Sequence, residues 1–502
     1  MEQKAVKLRW PVVALLAIIA ATALRPGDAA WFFDLPRLMD FALRFNSTPS
    51  RVLRISLPFT PSPYALAGTR RTRYGPFPVW VDQVFLAFTR DPITMTCIRA
   101  VIFSTLTAIG LLWLSRVMRV TPWLAVIAML SPWMWYYSRE LGDNGWNIPF
   151  TAISLAAYGS FLNRPRAWPI CLIVVCATFG LMSHLMSAAL FFPLALHLLI
   201  FETRWFWKIK WPLLAVTALM VIVAWPYIHY LLHPHGGKNP EELSAWRGWI
   251  FPLLGAQHIT AGDMGYILQE TWRKIHPAPL RYVWLIARFV TFIGFIACWI
   301  GMVLAIPLGR RALRRVADAG PVGHLCLIAW ATFICQTLLY GIKRVYEHPH
   351  YQSGTWIVYV LFAWLALDTV PRRLGNRNMI SRLILPVYAS SLLVVTLLLA
   401  YQIHRNGGTR DDHFSACLSN QLQVAREIER FSDASPIEMQ VPYWIERPLS
   451  PHALEALVGP AAGDRPTRRL VVRFRNAFPD DARIVVEDYP LEPNHGDDSL
   501  RQ

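Results

Sequence analysis

The chain has 502 residues, is 54% hydrophobic and contains 22 Trp, with a mean hydropathy of +0.33. Soluble domains run at about 45–50% apolar and do not gather the excess into runs of about 20 residues, so a soluble globular protein is excluded and a polytopic α-helical membrane protein is expected. The formal charge of +17 would suit nucleic acid. Many Arg and Lys, however, sit in short loops between apolar runs, where they set topology, so membrane lipids and not nucleic acid are the expected surroundings.

Residues 1–25 place Lys4, Lys7 and Arg9 before a short apolar run, as a signal peptide does. Ala21-Thr22-Ala23-Leu24-Arg25 is a poor cleavage site and more apolar runs follow, so an uncleaved first helix is expected. Apolar runs then fall at 10–25, 96–115, 121–137, 148–163, 168–183, 185–202, 211–232, 283–306, 322–341, 353–370 and 382–402, about eleven transmembrane helices in all. With a cytoplasmic N-terminus, every short inner loop is basic. These loops hold Arg116 and Arg119; Arg164 and Arg166; Arg204, Lys208 and Lys210; Arg310, Arg311, Arg314 and Arg315; and Arg372, Arg373, Arg377 and Arg382. The alternation requires the long run at 168–202 to split at Ser183-His184.

This topology predicts a transmembrane module over 1–402 with a long first outer loop at 26–95 and another outer loop at 233–282. The first loop carries eight Arg on the side where they do not help topology: Arg37, Arg44, Arg51, Arg54, Arg70, Arg71, Arg73 and Arg90. Phosphate recognition and contact with anionic lipid headgroups are the two explanations. Residues 79–88 form an apolar segment too short to span. The 233–282 loop predicts amphipathic interfacial helices, serving either as a lid or as passive packing. From 403 the composition becomes polar: a helix over Asp411–Phe431 and short strands over Ile437–Ile445, Leu470–Phe474 and Arg483–Glu487 predict a small α/β domain, 403–502, in the extracytoplasmic compartment. The seven Cys show no paired metal-ligand spacing, and no metal site is assigned.

Two outer stretches carry candidate chemistry. Trp31–Asp40, WFFDLPRLMD, sets Asp34 among aromatic residues at a membrane surface; an acid there either caps a helix in water or has a task. Ser131–Phe150, SPWMWYYSRELGDNGWNIPF, presents Arg139, Glu140 and Asp143 at the same level. Arg139 and Asp143 share a helical face if the turn persists, and would then order that turn as a pair. Paired carboxylates near a cavity suit proton abstraction from a hydroxyl.

In the order and sidedness of these motifs the chain resembles the GT-C class of integral membrane glycosyltransferases, in particular the bacterial aminoarabinose-transferase-like and protein-mannosyltransferase-like branch. Asp34 in FDLPRLMD matches the class's acid after helix one, Arg73-Tyr74-Gly75-Pro76 its Gly-Pro segment, and SPWMWYYSRELGDNGWNIPF its second outer loop. His184-Leu185-Met186-Ser187 and Glu347-His348-Pro349-His350-Tyr351 resemble later motifs, so that the resemblance covers about 20–400. Many relatives have Asp-Glu where this chain has Asp34-Leu35. That departure removes a second carboxylate from the first site, so no cofactor is assigned and a divalent cation is left open.

The resemblance implies transfer of a sugar from a polyprenyl-phosphate donor to a lipid or cell-envelope glycan acceptor, at the outer face of a bacterial inner membrane. Asp34 would be the general base, with Asp143 as the second catalytic acid. Arg73, Tyr74, Arg139, His184, Lys343, Arg344, His350 and Tyr351 would bind substrate, the cations among them stabilising the leaving phosphate. The alternatives are a flippase for lipid-linked glycans and a non-catalytic GT-C-like scaffold. Against a flippase, the two halves show no repeat and mid-span acids are nearly absent.

Overall fold

The computed structural model describes residues 2–30, 76–89, 91–140, 144–232, 245–263, 277–315, 319–343, 349–373, 383–408, 416–432, 437–440, 468–474 and 484–490. Within them every apolar run of the sequence is helical. α1 (Glu2–Thr22) leads into a 3-10 turn at Pro26–Asp28. α2 (Phe77–Leu86) has 10 residues, too few to cross a bilayer. α3 (Pro92–Met118) starts on Asp91, whose carboxylate accepts the backbone N–H groups of Ile93 and Thr94 at 3.2 and 3.0 Å. The next run is broken into α4 (Trp123–Met129) and α5 (Pro132–Arg139), because Pro132 has no N–H to continue the ladder and Ser131 caps the new start.

α6 (Asn147–Asn163) and α7 (Ala167–Ser183) follow. The chain then breaks at His184, makes a 3-10 turn at Leu185–Ser187 and continues as α8 (Ala188–Phe201), so the split expected at Ser183-His184 is present. The remaining apolar elements are α9 (Thr203–Lys208), α10 (Lys210–Leu232), α11 (Ala245–Thr260), α12 (Ala278–Leu313), α13 (Gly320–Lys343), α14 (Trp356–Arg373) and α15 (Leu385–Asn406). Among the described residues, α3, α12, α13, α14 and α15 are long and apolar enough to cross a membrane by length and composition.

The core is continuous through the bundle, from Leu111, Trp133, Tyr137 and Leu155 to Trp356 and Phe362. α11 packs one face, with Phe251, Ala256 and Ile259 buried, against α12, α13 and α14. Its carbonyls are taken by side chains of the bundle: Gln352 Nε2 donates to the Phe251 carbonyl at 2.9 Å, Tyr359 Oη to Pro252 at 2.8 Å, and Tyr388 Oη to Thr260. This part of the 233–282 loop is thus a built-in element; residues 233–244 and 264–276 lie outside the described ones.

The end of α1 is tied down from two directions. Arg25 adopts the left-handed region (φ 51) and stops the helix. The last carbonyls of a helix lack intrahelical partners, and Arg139 from the end of α5 supplies them. Its Nε donates to Thr22 O at 2.9 Å, Nη1 to Arg25 O at 3.5 Å and Nη2 to Leu24 O, while the guanidinium lies 4.5 Å from the Trp135 ring centroid. From the other side, the start of the tail closes over the 3-10 turn. His404 Nδ1 lies 3.0 Å from Asp28 Oδ2, Leu418 N–H donates to Ala29 O at 3.0 Å, and Ala30 bridges Cys417.

Beyond this clamp, α16 (Leu418–Ser432) packs on β3 (Ile484–Pro490) of a three-stranded sheet. β1 (Ile437–Gln440) runs parallel to β2 (Arg468–Phe474), and β3 pairs antiparallel with β2 on its other side. The strands fall where β-rich segments were expected. The connections between them lie outside the described residues.

Arg139→Lys keeps the charge but not the fork. Charge-assisted hydrogen bonds contribute about 1.5–3 kcal/mol each, so this variant should lose about 2 kcal/mol or more in thermal unfolding of the purified protein. His404→Ala, which removes the half-exposed contact with Asp28, should lose under about 1 kcal/mol. Equal melting of Arg139→Lys and the unaltered chain would contradict the tether.

Candidate functional site

The helix ends that converge at this end of the bundle are the end of α1, the starts of α3, α6 and α8, and the ends of α5 and α7. Between them lies a set of buried polar groups. α2 lies over the start of α3 and brings in Asp82, 1% exposed, whose two carboxylate oxygens have no hydrogen-bond partner among the described residues. Phe77 anchors α2 by packing against Phe179, Phe150 and Trp146, with ring centroids 4.9, 5.3 and 5.9 Å away. Arg99, on the first turns of α3, is wholly buried and holds its guanidinium carbon 5.0 Å from the Trp146 ring centroid. Glu140, 4% exposed, follows α5 in extended conformation, and its Oε2 has no partner among the described residues. Asn147 opens α6, is 0% exposed, and its amide oxygen and nitrogen likewise have no partner among the described residues.

Gly145 allows the chain to thread through this centre. A Cβ there would stand 2.9 Å from the Tyr137 carbonyl and 3.5 Å from Arg99 Nη2. The 3-10 turn at Asn144–Trp146 carries the chain from the α5 side to the α6 side and touches a second such turn at Pro349–Thr355. That second turn brings Tyr351 beside His184, their ring centroids 5.1 Å apart. His184 also caps the turn after α7, accepting the Met186 N–H at Nδ1 from 3.3 Å.

Burial dominates the electrostatics. It pushes the carboxyls of Asp82 and Glu140 up to about 7, against the opposing pull of the Arg99 charge. It holds His184 down at about 4, so that the imidazole is neutral at pH 7. The arrangement thus offers two carboxyls close to their titration point, one fixed cation and an unsatisfied amide. Such a set can donate to or accept from a polyhydroxylated ligand and can hold a proton at neutral pH. No cluster of three or more His, Cys, Asp or Glu with metal-binding proximity occurs among the described residues.

Of the residues expected from sequence, His184 and Tyr351 are brought together. Arg139 is committed to the carbonyls at the end of α1. The turn does not persist past it, since Glu140 is already extended (ψ 118), so the shared helical face with Asp143 is interrupted. Lys343 closes α13 and His350 stands in the Pro349–Thr355 turn. Asp34, Arg73, Tyr74, Asp143 and Arg344 lie outside the described residues. Asp82, Arg99 and Asn147 were not singled out by the motifs. The available signal was a lone charge inside an apolar segment, FPVWVDQVFL for Asp82 and ITMTCIRAVIF for Arg99.

A carboxyl whose folded pKa is raised binds a proton in the folded state that the unfolded chain has released. Its stabilising contribution is complete below about 4, the ordinary range, and is lost as pH rises through about 7. The Asp82→Asn/Glu140→Gln pair should therefore flatten the fall in thermal midpoint between pH 5 and about 7.5. An unchanged pH profile would show that these carboxyls are not held protonated by burial.

No protein-family model matches the chain, and no curated protein matches it. Among solved structures the chain is similar to an oligosaccharyltransferase of Archaeoglobus fulgidus, crystallised with zinc and sulfate, at 14% identity and a TM-score of 0.49. The match covers 89% of this chain and 61% of that one, so the chain spans less than two thirds of that enzyme's length.

Proposed function

We propose that the chain is a membrane glycosyltransferase of the GT-C class that moves a sugar from a polyprenyl-phosphate donor to a lipid or envelope-glycan acceptor. The observation that carries this reading is the buried polar centre of Asp82, Arg99, Glu140 and Asn147, gathered at the same end of the bundle as the clamped root of the loop that contains Asp34. Asp34 is four residues from Ala30, a length of chain that spans at most about 14 Å. Asp143 is adjacent to Asn144, the first residue of the turn that threads the centre.

In this reading the Asp34 carboxylate takes the proton from an acceptor hydroxyl. The freed oxygen attacks the anomeric carbon from the face opposite the phosphate. The new C–O bond forms as the bond to the phosphate oxygen breaks, and the polyprenyl phosphate leaves with the electron pair, so that configuration inverts. Arg99, with Arg73, Lys343, Arg344 and His350 as further donors, meets the charge that grows on the leaving phosphate. Asp82 and Glu140, near their titration points, hold the sugar hydroxyls, and Asp143 is the second acid beside Asp34. His184 and Tyr351 supply a neutral ring pair against which a sugar can lie. The basic loops at the far end orient the chain with this centre at the outer face of the plasma membrane and the tail outside.

Asp34→Asn should lower transfer of labelled sugar from the lipid-linked pool by about a hundredfold or more, while membrane insertion is unchanged. Full activity of that variant would remove Asp34 from the reaction. For the orientation, a cysteine in place of Ser435 should react with a membrane-impermeant maleimide in intact cells. Labelling only after lysis would reverse the topology.

A further inference from the structure

At the opposite end of the bundle, α7, α8 and α10 enclose an apolar groove of about 730 Å³. Ile173 and Ala177 of α7, Phe191 and Leu198 of α8, and Leu214 of α10 form its walls. Its floor is Tyr158 of α6, whose hydroxyl is committed to His197 Nδ1 at 2.7 Å, and His197 Nε2 in turn stands 3.0 Å from His324 Nδ1. The hydroxyl of this floor residue is thereby occupied by the histidine and not free for a ligand in the groove.

The groove's mouth has a different chemistry. Lys210 lines it, with its Nζ 5.5 and 5.4 Å from the ring centroids of Trp207 and Trp211, which are 61% and 70% exposed. Lys208 and Arg204 stand on the adjoining α9. Exposed indoles with a lysine between them mark the headgroup level of a bilayer. A cation there attracts anionic headgroups by about 1 kcal/mol, or about fivefold in occupancy. The lips of the groove, Leu199 and Leu214, are 50% and 59% exposed, so the cavity opens sideways into the acyl region.

We propose that this groove binds one anionic phospholipid from the leaflet at the basic end, its acyl chain between α7, α8 and α10 and its phosphate on Lys210. Charge complementarity at the mouth selects this occupant over a zwitterionic lipid, and the apolar walls select it over a soluble anion. The site is remote from the polar centre and does not depend on the glycosyltransferase reading.

The test is native mass spectrometry of the full chain released from nanodiscs of phosphatidylglycerol or of phosphatidylcholine. One phosphatidylglycerol should stay bound per chain, retained about fivefold more than phosphatidylcholine. Lys210→Gln should remove that preference and leave the melting temperature unchanged. Ala195→Trp, which fills the groove beside Leu194, should abolish retention of either lipid. Equal retention of the two lipids by the unaltered chain, or retention that survives Ala195→Trp in a folded protein, would reduce the groove to ordinary boundary surface. Capture of a second copy of the chain in place of lipid would overturn the proposal as well.

Discussion

The rest of the structure depends on how the first helix ends. A helix that stops inside a protein leaves carbonyls without donors, and leaving them so costs about 1–3 kcal/mol each. α1 stops at a left-handed Arg25, and Arg139 fills the gap with three donations from a buried, planar fork. This single side chain joins residues that are 114–117 positions apart in sequence. It fixes where the first long loop leaves the bundle and at the same time fixes the end of α5, and through it Glu140. The Asp28–His404 contact and the Ala30–Cys417 bridge add the end of α15 and the approach to α16 to the same junction.

That junction sits beside a centre with high electrostatic stakes. Buried carboxylate oxygens without partners are destabilising unless they serve something; among the described residues both oxygens of Asp82 and Oε2 of Glu140 have none, and the two carboxyls share the field of one buried arginine. α2 is too short to span and is held by aromatic packing through Phe77. Its position makes sense as a lid of protein that carries Asp82 over Arg99. The opposite end of the bundle is built differently, with Tyr158, His197 and His324 joined in a row of hydrogen bonds.

The helices were legible from apolar runs alone, and the split at Ser183-His184 from the need to keep basic loops on one side. The chemistry was less legible, for reasons that lie in particular residues. Arg139 and Asp143 have helical spacing, but Glu140 turns extended, and Arg139 is committed to the unsatisfied carbonyls at the end of a helix distant in sequence. Asp82 was hidden by the apolarity of its own segment. Arg99 was hidden because a single arginine does not interrupt a 27-residue helix. Both acquire meaning only when α2, α3 and the Asn144–Trp146 turn meet, which is a tertiary event with no local signature. The loop at 233–282 gave no sign that one face of Ala245–Thr260 would pack against the bundle. Its carbonyl partners, Gln352, Tyr359 and Tyr388, are all more than 100 residues away.

The most direct test is a cryo-electron microscopy map of the full chain in a lipid nanodisc with a polyprenyl phosphate bound. The account predicts phosphate density at the Arg99 end of the bundle, with the Asp34 carboxylate facing the position of the missing sugar and the isoprenoid tail leading out between helices. A phosphate bound elsewhere, with Asp34 turned into bulk water or sealed off from any path for the tail, would contradict it.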